Sequence, residues 1–300
     1  MISEKAKQLR ELIKTSASFA AVGCYDALTA RMIEQANFAV GYISGASVSM
    51  ALLGKPDLGL ASYGEIFGQV QRIAQAIDIP IIVDSDTGYG NFLNAQRAFR
   101  EYEQIGIAGI QIEDQIFPKR CGHLSGTQVV EAAEMIEKIQ AVLEVRQNPD
   151  TVFIARTDAR QSLGLTEAIN RANFYAEAGA DIIFVEGMHG VEECEIVARE
   201  VNATLLVNTG GRGLTPKLSL LEFEKIGFKI VLHPGVMQRA ATFAMREMLQ
   251  DLHENRNLTH TKNGQMDFDE WFELVDLLRY KETEKRFTST IDTKETQSFL

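Results

Sequence analysis

The chain has 300 residues, 45% of them hydrophobic and 24% charged, which is typical of a globular protein and excludes a disordered, collagen-like or disulfide-rich chain. Its formal net charge is −11 and its 30 basic residues are scattered, so we expect no nucleic-acid partner. No apolar run is long enough to span a bilayer, no signal peptide is recognisable, and the odd number of cysteines (three) favours the cytoplasm.

Eight short apolar runs bounded by turn residues recur along the chain. They cover residues 19–23, 39–44, 79–84, 107–113, 151–156, 181–186, 204–208 and 228–232, with helical periodicity between them, as at 93–105, 129–145 and 166–179. Six runs are rich in Val and Ile, as expected of parallel strands buried on both faces. The alternation predicts an α/β fold, a (β/α)8 TIM-type barrel. An open doubly wound sheet is the alternative, but no strand is followed by a Gly-x-Gly-x-x-Gly turn.

Two more helical stretches, 236–253 and 267–280, follow the eighth run, although a barrel needs only one helix there. We therefore divide the chain into a catalytic barrel, residues 1–250, and a C-terminal helical extension, residues 251–300. The stretch 267–280 is amphipathic and includes Trp271. It either contacts another subunit or caps its own barrel, and the pattern alone favours neither interpretation.

Polar residues end most of the apolar runs. The carboxyl ends of barrel strands meet on one face, where such enzymes keep their chemistry, whereas a merely solvated surface would scatter its charges through the helices. The residues that this argument brings together are Tyr42, Ser44, Gly45, Asp84, Asp86, Glu113, Arg156, Glu186, Asn208 and His233.

The acidic members of this set indicate a hard divalent cation. Asp84 and Asp86 are alternate residues and would point to the same side of an extended segment. Glu113 ends the next run, and Asp57 lies on a loop. A few carboxylates, completed by waters and a chelating substrate, are how Mg²⁺ is usually held. The alternative interpretation is that the two aspartates cap a helix or a turn.

A loop after the fourth run has the sequence Lys119-Arg120-Cys121-Gly122-His123. Its glycines and a nearby proline suit a lid over a site. Two cations and a histidine around Cys121 would lower its thiol pKa, so that it could transfer a proton or attack a substrate. The alternative is an incidental exposed cysteine. Cys24 and Cys194 are expected to be small buried hydrophobes.

These motifs jointly resemble the isocitrate lyase/phosphoenolpyruvate mutase superfamily over about residues 10–250. The length resembles the short, methylisocitrate lyase-like members. The matching segments are Ser44-Gly45, Pro56-Asp57-Leu58-Gly59, Asp84-Ser85-Asp86-Thr87-Gly88-Tyr89-Gly90, Glu113-Asp114-Gln115, Lys119-Arg120-Cys121-Gly122-His123 and Ala155-Arg156-Thr157-Asp158-Ala159.

The resemblance implies a barrel that binds Mg²⁺, which Mn²⁺ could replace, and a small carboxylate such as a 2-oxo acid or its enolate. It implies that Asp86 is the main metal contact and that the other metal-site carboxylates act through waters. It implies that Ser44 and Gly45 hold an oxyanion through their backbone. The implied metal site is Asp57, Asp84, Asp86 and Glu113, and the implied substrate-binding set is Tyr42, Ser44, Gly45, Asp84, Arg156, Glu186 and Asn208.

The cysteine loop is similar to that of the carbon–carbon lyases of the superfamily, whose cysteine protonates the departing carbanion. The implied reaction cleaves a 2-hydroxy di- or tricarboxylate, of the 2-methylisocitrate or 2,3-dimethylmalate type, to pyruvate and a second carboxylic acid. The implied catalytic residues are Cys121, Arg156, His123 and Lys119. Members commonly exchange a C-terminal helix between paired subunits, so we expect a helix-swapped homotetramer.

One segment departs from the methylisocitrate lyase pattern. Gly211 stands where those enzymes usually have a glutamate. This leaves open a dimethylmalate-type lyase, an oxaloacetate hydrolase, or a carboxyphosphonoenolpyruvate or phosphoenolpyruvate mutase.

Overall fold

The computed structural model of the chain describes residues 2–15, 17–122, 124, 126–210, 215–256 and 266–297. The chain divides into two compact units, Met1–Ala241 and Thr242–Leu300. Within the described ranges, no helix is both long and apolar enough to cross a membrane.

Eight parallel strands of the described chain close into a barrel, in which each strand pairs with its neighbours in sequence and the last pairs with the first. The strands are β1 (Phe19–Cys24), β2 (Val40–Ile43), β3 (Ile81–Asp84), β4 (Gly109–Glu113), β5 (Val152–Thr157), β6 (Ile182–Val185), β7 (Leu205–Asn208) and β8 (Phe228–His233). Each predicted run overlaps one of them, which confirms the (β/α)8 fold. Closure is direct, since Phe19 of β1 is in register with Ile230 of β8, and this excludes an open sheet.

Helices separate the strands and follow the last one. In the described residues they are α1 (Ile2–Thr15), α2 (Ala27–Gln35), α3 (Gly45–Leu53), α4 (Tyr63–Ala76), α5 (Phe92–Gln104), α6 (Ala132–Val145), α7 (Ala159–Leu163), α8 (Leu165–Glu177), α9 (Gly190–Glu200), α10 (Leu220–Ile226), α11 (Val236–Asn255), α12 (Phe268–Glu273) and α13 (Leu277–Gln297).

Two helix predictions need correction. The helix predicted from 129 begins only at Ala132, because Val129 forms an antiparallel bridge with Gln115 and the Val130 amide donates to the Asp114 carbonyl. The stretch 267–280 is not one helix. It is divided between α12 and α13, and Asp276, between them, has a left-handed φ of 59° that interrupts helical geometry.

Apolar side chains form two concentric layers around the barrel wall. The inner layer fills the barrel and includes Tyr42, Ile82 and Phe184, while the outer layer lies between the strands and the surrounding helices. This arrangement follows from the alternation of side chains along a strand, because both faces of each strand are covered. Leu9 of α1, which is fully buried, joins the inner layer. Helix α1 thus covers the end of the barrel at which the strands begin.

Ion pairs fix α1 in this place. The Arg10 guanidinium donates to Asp181 at 2.8 Å, and Asp181 also accepts from Arg146 at 2.8 Å and from the Phe153 amide at 2.8 Å. One partly buried carboxylate therefore joins α1, the end of α6 and the starts of β5 and β6.

We predict that Asp181→Asn destabilises the protein by about 1–3 kcal/mol. The amide nitrogen of asparagine cannot accept a hydrogen bond, so the donors on one side of residue 181 would lose their acceptor. Thermal unfolding followed by circular dichroism measures this change. Glu200→Gln is the matched control, since the Arg199–Glu200 pair is exposed and should contribute little. Equal melting temperatures for the wild type and Asp181→Asn would contradict this account of α1.

Candidate active site

A cavity of about 190 Å³ lies at the carboxyl ends of the strands. An apolar cavity of about 150 Å³ accommodates benzene, so this volume suits a compact organic acid. Nine of the predicted site residues line it: Tyr42, Ser44, Asp57, Asp84, Lys119, Cys121, Arg156, Glu186 and Asn208. Gly45, Asp86 and Glu113 contact members of this lining, as described below. His123 lies outside the described residues.

Helix α3 begins at the cavity. Ser44 caps it, accepting a hydrogen bond from the Ser47 amide at 3.3 Å. Gly45 is the first helical residue, and a β-carbon there would lie 3.0 Å from Asp86 Oδ1 and 3.3 Å from Asp84 Oδ2. Glycine therefore lets the start of α3 approach both carboxylates. The exposed amides of a helix start also favour negative charge nearby.

Asp84 and Asp86 lie close together, as predicted, but not because they alternate along an extended segment. Strand β3 ends at Asp84, and Asp86 lies in a turn with a left-handed φ of 48°. The Asp86 amide donates to Asp84 Oδ1 at 3.2 Å. A tight turn, and not the alternation of an extended strand, therefore brings the two side chains together.

Lys119 lies between two of the predicted metal-site carboxylates. Its ammonium is 2.8 Å from Asp57 Oδ2 and 2.6 Å from Asp86 Oδ1. Burial alone would lower the pKa of Lys119, but the attraction of the surrounding carboxylates outweighs it and holds the pKa well above its usual range. The same burial raises the pKa of Asp86 to about 6, against the lowering effect of Lys119. The charge of Lys119 is therefore paired with these carboxylates, and its effect on the thiol pKa of Cys121 stays a prediction.

Arg156 of β5 is the second buried cation. It donates to both oxygens of Asp158, at 2.9 and 2.8 Å, and lies 3.2 Å from Glu113 Oε2 and 3.6 Å from Glu186 Oε2. Its guanidinium also stands over the ring of Phe184, 5.2 Å from the ring centre. Burial raises the pKa of Glu113 well above its usual range, and Arg156 offsets only part of that effect.

Glu186 and Asn208 extend this network along the next two strands. Asn208 Nδ2 donates to Glu186 Oε2 at 3.0 Å, and Glu186 Oε1 accepts from the Gly187 amide at 2.8 Å. The Gly210 amide in turn donates to Asn208 Oδ1 at 2.8 Å. The polar groups at the ends of β5, β6 and β7 are therefore held in fixed orientations.

The carboxylates fit a cation held largely through water. Among the described residues, no three His, Cys, Asp or Glu side chains are close enough to enclose a metal by themselves. Both oxygens of Glu113 are nevertheless buried without a hydrogen bond, Oε2 having only its ion pair with Arg156 at 3.2 Å, and Asp86 Oδ1 has only its contact with Lys119. Such groups need a positive charge or ordered water. The donor set suits Mg²⁺, which keeps several waters and prefers oxygen ligands.

The cysteine loop is docked over the cavity. The Cys121 amide donates to the Asp57 carbonyl at 3.1 Å, and the Gln115 side chain bonds both backbone groups of Arg120, at 2.9 and 3.1 Å. Gly122 is buried against the Arg156 network: a β-carbon there would lie 2.5 Å from Asp158 Oδ1, 2.9 Å from Glu186 Cγ and nearer still to Arg156. The loop can reach this position only because residue 122 has no side chain.

Several lining residues were not predicted from the sequence. They are Ala46, Ser47, Met50, Phe184, Gly210, Pro234, Gly235, Gln238 and Arg239. Phe184 lies in β6 and precedes Glu186, which directly follows that strand, by two residues, so the alternation of side chains could have identified it. The first turn of α11 follows β8 directly and therefore also reaches the mouth. The departure at Gly211 lies outside the described residues.

The family model described as phosphoenolpyruvate phosphomutase matches residues 9–253. Taken with the closed barrel and the strand-end cavity, this match shows that the chain belongs to the phosphoenolpyruvate mutase/isocitrate lyase superfamily.

Named relatives cover nearly the whole chain. It is 38% identical over 284 residues to 2,3-dimethylmalate lyase of Eubacterium barkeri, covering 95% of this chain and 98% of that protein. It is 39% identical over 282 residues to 2-methylisocitrate lyase of Aeropyrum pernix, covering 93% and 88%. These relatives are lyases, and the chain is accordingly an enzyme of the lyase class.

Solved structures agree with the fold. Oxaloacetate acetylhydrolase in complex with the inhibitor 3,3-difluorooxalacetate superposes with a TM-score of 0.89 at 32% identity, covering 95% of this chain and 98% of the other. A 2,3-dimethylmalate lyase superposes with 0.88 at 32% identity, covering 94% and 95%. A phosphonopyruvate hydrolase complex with oxalate and Mg²⁺ superposes with 0.86 at 28% identity, covering 95% and 99%.

We predict that Gly122→Ala lowers kcat/KM of the lyase reaction by about 100-fold, because a displaced loop misplaces Cys121 by about an ångström. Steady-state kinetics measures this change. Gly64→Ala is the control, since a β-carbon at that position meets nothing within 4 Å. Wild-type kinetics in Gly122→Ala would show that the docked loop plays no part in turnover.

We predict that iodoacetamide at pH 8 labels Cys121 alone in the native protein. Burial raises the pKa of Cys24 and of Cys194 to about 12, so neither forms the reactive thiolate, whereas Cys121 is only half-buried. Mass spectrometry of peptides locates the label, and all three cysteines should react in denaturant. Native labelling of Cys24 or Cys194 would contradict the burial described above, and Cys121→Ser is the negative control.

Proposed function

We propose that the protein is a Mg²⁺-dependent carbon–carbon lyase that cleaves a 2-hydroxy di- or tricarboxylate of the 2,3-dimethylmalate or 2-methylisocitrate type into pyruvate and a second carboxylic acid. The observation that carries the proposal is the loop with Cys121, docked over a cavity that holds both a carboxylate cluster and Arg156. The lyase names of the relatives support the same reaction class.

The fragment that becomes pyruvate lies, in this proposal, between Arg156 and the start of α3. Arg156 pairs with its carboxylate, and the backbone groups of Ser44 and Gly45 hold an oxygen that gains negative charge. Burial raises the pKa of Tyr42 well above its usual range, so its hydroxyl keeps its proton. That proton is donated to Gln111 Oε1 at 3.2 Å, so towards the substrate the Tyr42 hydroxyl offers an acceptor oxygen.

The cation would be held by Asp86, with Asp57, Asp84 and Glu113 acting through waters. When bound, Mg²⁺, or Mn²⁺ in its place, would supply a Lewis acid that stabilises the negative charge on the C2 oxygen as that oxygen loses its proton. The buried and incompletely bonded carboxylate oxygens of Glu113 and Asp86 support this assignment. Glu186 and Asn208 complete the substrate-binding wall beside Arg156.

Cleavage breaks the bond between C2 and C3. The C2 hydroxyl loses its proton to a base, its electron pair forms the carbonyl of pyruvate, and the electron pair of the broken bond goes to C3. The Cys121 thiol then gives its proton to C3. This neutralises the carbanion, and the second carboxylic acid can leave. The carboxylates of the substrate raise the pKa of a nearby thiol, which keeps Cys121 protonated until that step. His123 and Lys119 complete the proposed catalytic set.

The rim of the cavity supports a substrate with more than one carboxylate. Arg239 lines the cavity on the side of α11, beside Gln238, whose side chain donates to the Ser47 carbonyl at 2.9 Å. A cation at the rim can pair with a carboxylate on C3, opposite the one that Arg156 binds. Because the fold is similar to that of oxaloacetate acetylhydrolase, oxaloacetate is the substrate to test beside the two hydroxy acids.

We also propose that the enzyme is a cytoplasmic homotetramer in which the extension, residues 251–300, contacts a partner subunit. Phe268, Trp271 and Leu278 support this proposal, since each is more than half exposed. Rings of Phe268, Trp271 and Phe272 cluster within 6.4 Å of one another. Apolar groups of this size on a surface are typical of protein contacts.

We predict that the wild-type enzyme with Mg²⁺ releases pyruvate from 2,3-dimethylmalate or 2-methylisocitrate, and that a chelator abolishes this activity. Cys121→Ser should lower kcat by about 100- to 10,000-fold, because a general acid contributes on that scale. Cys194→Ser is the control and should keep wild-type kcat. Coupled pyruvate assays measure both substrates, with oxaloacetate assayed in parallel by oxalate release. Absence of pyruvate from both hydroxy acids would contradict the proposed reaction.

A further inference from the structure

A buried lysine outside the barrel holds the turn that contains Asp86. Lys138 lies on α6, its side chain is 3% exposed, and its ammonium donates to the Thr87 carbonyl at 2.8 Å. Within the described residues, no carboxylate lies within 4.0 Å of that ammonium. Burial lowers the pKa of Lys138, against the opposing effect of Glu134. Burying a charge that has no close ion pair is unfavourable for folding, so the residue calls for another explanation.

The turn that Lys138 contacts is strained. Asp86 and Tyr89 both have left-handed φ values, 48° and 60°, although neither is a glycine. Residues held in this region persist only where the surroundings fix them, and they are common at functional sites. From the barrel side, the Ser85 amide donates to the Gln111 carbonyl at 2.9 Å, and the Asp86 carbonyl accepts from the Glu113 amide at 2.8 Å. Lys138 adds a bond from the opposite side, at the residue next to Asp86.

We propose that Lys138 is a positioning residue, which holds the strained turn through the Thr87 carbonyl so that Asp86 and Asp84 present their carboxylates to the metal. This inference rests on the proposed function, because it concerns the proposed metal site. Lys138 is not among the residues that line the active-site cavity; it lines a separate, open pocket with Thr87, Asn91 and Gln115. Its effect is therefore expected on metal affinity first, and on turnover only as a consequence.

A role in positioning and a role in stability predict opposite results for Lys138→Met. Methionine has a similar length and no charge, so it removes the cost of burying an ammonium and leaves the interior filled. That gain offsets the cost of leaving the Thr87 carbonyl without its donor. The bond to Thr87 is lost, and the strained turn can relax. Metal affinity should fall while the melting temperature changes little.

Lys5 provides the matched control. Its ammonium also donates to backbone carbonyls, those of Ala74 at 3.1 Å and Ile77 at 2.6 Å, at the end of α4 and away from the cavity. Lys5→Met therefore removes the same kind of bond without touching the turn. It should leave metal affinity unchanged.

The experiment is Mn²⁺ titration of the full-length, metal-stripped protein by isothermal calorimetry, with melting temperatures from circular dichroism. We expect the Mn²⁺ Kd to rise by about 10- to 100-fold in Lys138→Met, as for other groups that orient metal ligands. Lys138→Arg keeps a donor and should recover part of the affinity. Asp86→Asn serves as the site control and should abolish binding.

An unchanged Mn²⁺ Kd in Lys138→Met would overturn the proposal, and so would a weakened Kd accompanied by a large fall in melting temperature, which would assign Lys138 a structural role. If the wild type binds no Mn²⁺, the metal dependence in the proposed function fails together with this inference. If the wild type, Lys5→Met and Lys138→Met all bind Mn²⁺ with the same Kd, the proposed metal site stands and only the inference about Lys138 fails.

Discussion

Negative charge buried at the mouth of the barrel must be balanced by positive charge, and the local structure of this face follows from that requirement. Asp57, Asp84, Asp86 and Glu113 lie close together where water is scarce, so each needs a cation or a donor. Two side chains supply most of this charge: Lys119 reaches Asp57 and Asp86, and Arg156 reaches Glu113. Both cations come from segments that also define the cavity.

This balance couples the loop to the carboxylates. Lys119 belongs to the same loop as Cys121, so its ion pairs with Asp57 and Asp86 also fix the position of the thiol. Gly122 completes the coupling from the other side, because its backbone rests against Arg156 and Asp158. A metal that competes for Asp86 therefore acts on the loop, and a substrate that pairs with Arg156 acts on the same loop through a different residue. The charge balance thus connects ligand binding to the position of Cys121, the proposed proton donor.

The sequence was sufficient to predict the barrel because strands buried on both faces read as short, continuous apolar runs. The rule that the carboxyl ends of barrel strands meet on one face also placed Tyr42, Glu186 and Asn208 at one cavity, since that rule depends only on topology. It could not give the conformation of Asp86, which arises from a left-handed turn, nor the break between α12 and α13 at Asp276. Asp158 and Lys138 were missed for a further reason. Each acts through a partner, Arg156 or the Thr87 carbonyl, that only the folded chain brings within reach.

The covering of one barrel end by α1 has a kinetic consequence. Leu9 fills the space beneath the strands, and Arg10 ties the helix to β6 through Asp181, so small molecules have no passage through that end in the part of the chain described here. Among the described residues, the opening left for entry and exit is the mouth at the carboxyl ends of the strands, beneath the loop. The acid nearest Cys121 would depart before the one lodged deeper against Arg156. Products that leave through one opening leave in a fixed order. The two products of the proposed reaction should therefore give different patterns of product inhibition.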